Sequence, residues 1–269
     1  MKLKFDSNQQ YQLDAINAVV NVFAGQPADS DDATRHIDQD RQLGLEATIA
    51  RGNSLVLDMA QIIKNTHKIQ EKNGIEKSET KEGGFSIPMT FPLEINEKSL
   101  KYGMNFSIEM ETGTGKTYVY LRTIHELHQH YGWKKFIIVV PSVAIREGVL
   151  KNLAITREHF ADLYNKPEMD YYVWDSKKTG QAREFATNDT LQIMVITIDS
   201  FAKAQNVMNR QSDYGRPLDF IKATHPVVIL DEPQNMETDI RRNAMLASIR
   251  CARCAIVPHT NTYIICFIG

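Results

Sequence analysis

From Asn105 onward, short apolar runs alternate with segments of helical periodicity. The runs are Phe106 to Met110, Phe136 to Val140, Tyr171 to Trp174, Gln192 to Ile198 and Val227 to Leu230. Phe136-Ile-Ile-Val-Val140 and Val227-Val-Ile-Leu230 contain no polar position, as expected of strands buried on both faces. The alternation predicts an α/β fold with parallel strands joined by crossover helices. Between the first two runs, Tyr120, Leu121, Ile124, Leu127 and His128 recur at helical spacing until Gly132 stops them. Upstream, Ser7 to Phe23 predicts a first helix: Leu13, Ile16, Val19, Val20 and Phe23 form a stripe, Ser7 with Gln10 makes a capping box, and Gly25 ends it. Its exposed start carries Tyr11 and Gln12.

Residues 26–100 read as an insertion, in which we find no chemistry. Asp29, Asp31 and Asp32 suggest a flexible acidic loop. A helix follows over Asn53 to Asn73, with Leu55, Met59, Ile62, Ile63 and Ile69 on one side and Gly74 after its end. Lys72 to Gly84 is charged and ends in glycine, a mobile linker. Phe85, Ile87, Met89 and Phe91 alternate as a strand that Pro88 and Pro92 confine to a sheet edge.

At 269 residues the chain has room for one large α/β domain with an insertion, or for two small ones. A hydrophobic fraction of 42% and a charged fraction of 24% are those of an ordinary globular protein. The net charge of −2 gives no overall attraction for nucleic acid, so such a partner needs a local groove. No stretch resembles a signal peptide or a membrane span, which leads to the expectation of a cytoplasmic protein with no membrane partner. The three cysteines, Cys251, Cys254 and Cys266, lie in the last twenty residues and imply no disulfide framework. His125, His128 and His130 read as surface histidines of a helix rather than as metal ligands.

The chemistry concentrates in Glu109-Met-Glu-Thr-Gly-Thr-Gly-Lys-Thr117, a glycine-rich turn between a strand and a helix. Such a turn aims backbone N–H groups and the positive end of the helix at one point, which suits a polyphosphate. Thr112, Gly113, Thr114 and Gly115 would line the cradle, Lys116 would reach the β- and γ-phosphates, and the Thr117 hydroxyl would hold magnesium, as in G-x-x-x-x-G-K-[ST]. Met110 stands where that pattern has its first glycine. The second candidate is Asp231-Glu-Pro-Gln-Asn235, directly after an apolar run. Ligands of open parallel sheets sit at the carboxyl ends of strands, so Asp231 would hold the magnesium while Glu232 orients the water that attacks the γ-phosphorus and accepts its proton. The alternative is an acidic turn that merely ends a strand.

Met110-Glu-Thr-Gly-Thr-Gly-Lys-Thr-Tyr-Val-Tyr-Leu-Arg122 together with Asp231-Glu-Pro-Gln234 resembles the restriction subunit of type III restriction-modification enzymes, members of helicase superfamily 2. The resemblance covers the chain to about Ala244, and that family's phosphate loop tolerates a large residue at the place of Met110. It implies a RecA-like domain with a mostly parallel sheet flanked by helices, ATP and magnesium as cofactors, and Gln234 beside the nucleotide. Tyr11-Gln-Leu-Asp-Ala-Ile16 looks like the adenine-reading helix start of many nucleic-acid motors, with Gln12 on the base edge; a solvated surface glutamine is the competing reading. Val140-Pro-Ser-Val-Ala-Ile-Arg146 resembles the first DNA-backbone motif and Ile196-Thr-Ile-Asp-Ser-Phe201 the next. Ser142, Arg146, Thr197 and Ser200 would then contact phosphates, unless Ser142 caps a helix and Thr197 is an ordinary strand residue.

By the same resemblance the partners are double-stranded DNA and a methyltransferase subunit that reads the recognition sequence, and the activity is DNA-dependent ATP hydrolysis serving a site-specific deoxyribonuclease. The expected divisions are an adenine-side helix over 1–25, the insertion over 26–100, the first RecA-like domain over 101–245 and an atypical tail over 246–269. The second RecA-like domain and the nuclease are not expected within this chain. The tail has three readings: zinc ligation by Cys251, Cys254, His259 and Cys266, a natural edge strand, or a reading frame lost near Leu246. The abrupt cysteine-rich, apolar text favours the last. Competing functions are a non-catalytic nucleotide- or DNA-binding remnant and another superfamily 2 ATPase acting on RNA, which Pro233 and Gln234 match less well.

Overall fold

The computed structural model describes residues 5–28, 34–37, 48–77, 79–81, 84–86, 105–201, 208, 215–233 and 262–267. The first helix, α1 (Gln10–Val22), begins later than the capping pattern implies. Gln9 is its N-cap and no side chain caps it. Ser7 serves elsewhere, its carbonyl accepting a hydrogen bond from Arg122 at 2.6 Å. Strands β1 (Thr34–Ile37) and β2 (Thr48–Arg51) pair antiparallel.

The next helix, α2 (Met59–Lys72), starts at Asp58, whose carboxylate accepts from the Gln61 N–H at 2.7 Å. The sequence pattern placed that start at Asn53, five residues too early. Asn53 is instead buried as a bracket: its side chain donates to the Lys135 carbonyl at 2.8 Å and accepts from the N–H groups of Lys134 and Lys135. Those bonds draw residues 53–57 out of any helix, and neighbouring groups extend the seam. Trp133 and Gln26 both donate to the Ser54 carbonyl at 2.9 Å, and Asn65 donates to the carbonyls of Val22 and Ala24. Gly52 passes so close to the end of the helix at Pro217–Ala223 that a Cβ there would lie 2.5 Å from the carbonyl oxygen of its C-cap, Thr224. Strands β3 (Glu79–Lys81) and β4 (Gly84–Ser86) form a two-stranded ladder where a linker and the start of an edge strand were expected. The rest of that expected strand, through Phe91, lies outside the described residues, as does the acidic loop at 29–32.

The main sheet is built from β5 (Asn105–Glu109), β6 (Lys135–Val140), β7 (Met169–Val173), β8 (Leu191–Thr197), β9 (Val227–Asp231) and β10 (Thr262–Phe267), in the order β5-β10-β9-β6-β8-β7. The four strands β9, β6, β8 and β7 are mutually parallel. Helix α3 (Lys116–Tyr131) leads from β5 into β6, and α4 (Val143–Leu163), α5 (Gly180–Thr187) and α6 (Pro217–Ala223) connect the parallel strands in chain order. Strand side chains alternate faces, and the alternation sorts the core into two layers. Phe136, Ile138, Val195 and Ile229 pack with Ile16, Val119, Leu127 and Phe160, from α1, α3 and α4. Ile137, Val139, Met194 and Leu230 pack with Ala182, Phe185, Phe220 and Ile221, from α5 and α6. Each fully buried aliphatic side chain of this kind contributes about 1.5–3 kcal/mol. This sheet covered by helices on both faces is the RecA-like arrangement expected from the sequence.

The tail departs from expectation. Strand β10 lies inside the sheet, antiparallel to both neighbours, with Tyr263 opposite Asp231 and Thr262 opposite Glu109. It is therefore not an edge strand. Both its backbone edges are satisfied by the strands that flank it, which is what draws an uncharged apolar segment into the slot. Of the residues considered as zinc ligands, Cys251, Cys254 and His259 lie outside the described residues, and no group of three metal-ligating side chains occurs among those described. No helix among the described residues is long and apolar enough to cross a membrane.

Candidate functional site

The connections that leave β5, β6, β7, β8 and β9 at their carboxyl ends all open on one edge of the sheet. On the β5–β9 half of that edge, the glycine loop enters α3 with Gly113 at φ +83° and Gly115 at φ +87°. Both lie in the left-handed region that favours glycine. Around Gly113 there is open space, while a Cβ on Gly115 would meet Gln12 Nε2 at 2.9 Å. Lys116 is the first residue of α3, so the free N–H groups of its opening turn face the loop.

The loop is braced from behind. Gln12 Nε2 donates to the Thr114 carbonyl at 2.9 Å, the Tyr11 hydroxyl donates to the same oxygen at 3.2 Å, and the Thr114 hydroxyl donates to the Glu111 carbonyl at 2.7 Å. The expectation of an exposed Gln12 is thus corrected: it is only 7% exposed, because packing of α1 on α3 turns its amide onto the loop backbone.

Asp231 ends β9 and is 5% exposed. The phenol of Tyr120, one helical turn beyond Lys116, donates to its Oδ2 at 3.0 Å. Burial pushes the Asp231 carboxyl up to about 6; the Tyr120 hydrogen bond and the charge of Lys116 pull it down, while Glu232 pushes it further up. Tyr120 is itself raised well above its ordinary value, by burial first and then by the charge of Asp231. Glu232 stands at φ +52°, so the backbone turns sharply as it leaves β9. For a residue with a Cβ that conformation costs roughly 1–2 kcal/mol, a strain of the kind that collects at functional turns. Gln234 lies outside the described residues. The hydroxyl of Thr117 and the carboxylate of Asp231 are hard oxygen donors of the kind magnesium takes, and the open, braced glycine loop fits a polyphosphate.

Along the β6–β8–β7 half of the edge runs a groove of about 760 Å³ lined by Arg146, Thr197 and Ser200, with Trp174, Asp175, Ser176, Lys178 and Gln181 from the connection after β7. The structure thus gathers three of the four residues singled out for DNA. Ser142 is not in that lining; it caps α4 by accepting from the Ile145 N–H at 3.3 Å. Arg146 pairs with the adjacent Glu147 at 2.8 Å, and the Thr197 and Ser200 hydroxyls lie 3.4 Å apart.

Two expectations about side chains were incomplete. His125 is not on the surface: it is 4% exposed, stacked on Tyr164 with ring centroids 5.2 Å apart, and burial lowers it to about 3. Tyr120 had been assigned only to the apolar stripe of its helix. A buried tyrosine needs a partner for its hydroxyl, but nothing within the helix names Asp231 as that partner.

Residues 7–249 match the family model described as "Type III restriction enzyme, res subunit". The chain belongs to that family. Among curated type III relatives, the EcoPI Res subunit of Escherichia phage P1 is 29% identical over 256 residues, and the EcoP15I Res subunit of Escherichia coli is 30% identical over 262 residues. Each alignment covers 87% of this chain and 23% of the relative, so the chain spans about a quarter of the length of those Res subunits. The StyLTI Res subunit of Salmonella typhimurium (strain LT2) is 35% identical over 160 residues, covering 50% of this chain and 16% of that protein. The match to the type III family model embraces both the glycine loop and Asp231.

Proposed function

We propose that this chain carries the nucleotide-binding part of an ATP-driven DNA motor in a type III restriction-modification enzyme. The observation that carries the reading is the meeting of Tyr120, from the helix that the glycine loop opens, with Asp231 at the end of β9. Residues 10–22 and 105–233 supply this unit, with the segment near 26–100 inserted between the first helix and the loop.

In this reading the glycine loop of residues 112–115 and the Lys116 ammonium would hold the β- and γ-phosphates of ATP. Thr117 and Asp231 would hold magnesium, which would supply charge neutralisation at the phosphoryl group. Glu232 would orient the attacking water and accept its proton. Gln12 fixes the loop through Thr114 and would read the adenine edge, and Gln234 would add to the cofactor contacts. Arg146, Thr197 and Ser200 meet the phosphate backbone of double-stranded DNA, while Ser142 presents the start of α4 to it. DNA as substrate, a methyltransferase subunit as partner and a cytoplasmic site of action are what the resemblance to type III restriction subunits implies for this chain.

The test is binding of a labelled DNA duplex followed by fluorescence anisotropy across a salt series, with and without magnesium and ATP. Salt-dependent binding that weakens in Arg146→Ala and changes with ATP is the expected result. Binding that ignores both ATP and Arg146 would overturn the assignment.

A further inference from the structure

Tyr120 is completely buried, and its hydroxyl reaches beyond its own helix. It crosses from α3 to the end of β9 and donates to one carboxylate oxygen of Asp231 at 3.0 Å, joining residues 111 positions apart. A phenol has a single proton to give, and here it goes to Asp231. That bond holds the carboxylate assigned above to the cation by its Oδ2 and so sets the direction in which its other oxygen faces. Filling space does not require any of this, because phenylalanine has the same ring and the same packing.

We propose that Tyr120 is a positioning residue of the magnesium subsite, whose hydroxyl orients the Asp231 carboxylate towards the cation. The inference rests on the nucleotide reading of the site. Outer hydrogen bonds that orient metal-binding side chains are worth roughly 10–100-fold in metal affinity. Removing the hydroxyl alone therefore weakens the magnesium-dependent part of nucleotide binding and leaves the rest.

The experiment titrates the full chain with a fluorescent ATP analogue, first in EDTA and then at increasing magnesium, for wild type, Tyr120→Phe, Asp231→Asn and the double variant. In EDTA, Tyr120→Phe is expected to bind as wild type does, which also reports an intact fold. Its magnesium midpoint is expected to rise about tenfold. In the Asp231→Asn background the same substitution is expected to add little, because its effect passes through Asp231. A magnesium midpoint within twofold of wild type, a loss of affinity already in EDTA, or full additivity with Asp231→Asn would each overturn the inference. Wild-type binding that ignores magnesium would overturn the nucleotide reading along with it.

Discussion

Substituting Gly115 with alanine separates two demands that the phosphate loop makes on that position. The first is conformational: at φ +87° an alanine pays about 1–2 kcal/mol for the left-handed region. The second is contact with Gln12, whose Nε2 would lie 2.9 Å from the new Cβ. The end of a glutamine swings aside easily, so the cost is the hydrogen bond it abandons to the Thr114 carbonyl, about 1 kcal/mol. Together these amount to roughly 2–3 kcal/mol, or about 30–150-fold in nucleotide affinity if the loop must regain its shape to bind. Gly113 provides the internal control: φ is +83° and a Cβ there meets nothing within 4 Å, so Gly113→Ala carries the strain alone. The assay is titration with a fluorescent ATP analogue for Gly115→Ala, Gly113→Ala, Gln12→Ala and Gln12→Ala/Gly115→Ala. Gly115→Ala is expected to be weaker than Gly113→Ala by about fivefold, and the double variant no weaker than Gly115→Ala itself. Equal losses at the two glycines, or additive losses with Gln12→Ala, would refute the bracing of the loop by α1.

Other consequences concern stability and the groove. His125 is neutral when folded and takes a proton on unfolding below about pH 6.5, so its contribution is complete above that pH and is lost as pH falls towards 3, by up to about 1.4 kcal/mol per unit. Denaturant melts of His125→Phe are expected to show a flatter acid limb than wild type, and superimposable limbs would refute this. Asn53→Ala removes three buried side-chain hydrogen bonds and is expected to cost about 3 kcal/mol in chemical denaturation without changing nucleotide affinity measured well below the midpoint. Ser142→Ala removes the α4 cap and is expected to cost about 1 kcal/mol of stability; a melt identical to wild type would show that the cap is dispensable.

The parallel strands were legible because a strand buried on both faces is written as an uninterrupted apolar run, and Phe136 to Val140 and Val227 to Leu230 are such runs. Gly132 and Gly74 marked helix ends for a similarly local reason, both lying at positive φ just beyond their helices. What was hidden depends on partners far along the chain. Asn53 reads locally as a helix start, yet three bonds to residues 134 and 135 keep it out of the helix. Gln12 reads as a surface residue until α1 is laid on α3. The histidine in α3 at 125 looks polar, whereas the rings of Phe160 and Tyr164 enclose it. The antiparallel course of β10 follows from which slot in the sheet its backbone fills, a choice that no pattern within the segment records. Lys116 and Asp231 were each visible as motifs, but the phenol that joins their elements was not.

The central claim is that the glycine loop, Lys116 and Asp231 form one site for a nucleoside triphosphate. Its most direct test is calorimetric titration of the wild-type chain and Lys116→Ala with ATP in magnesium. Wild type is expected to bind saturably and one-to-one, and Lys116→Ala to lose that binding or weaken it at least tenfold; equal affinity of the two proteins for ATP would contradict a shared nucleotide site.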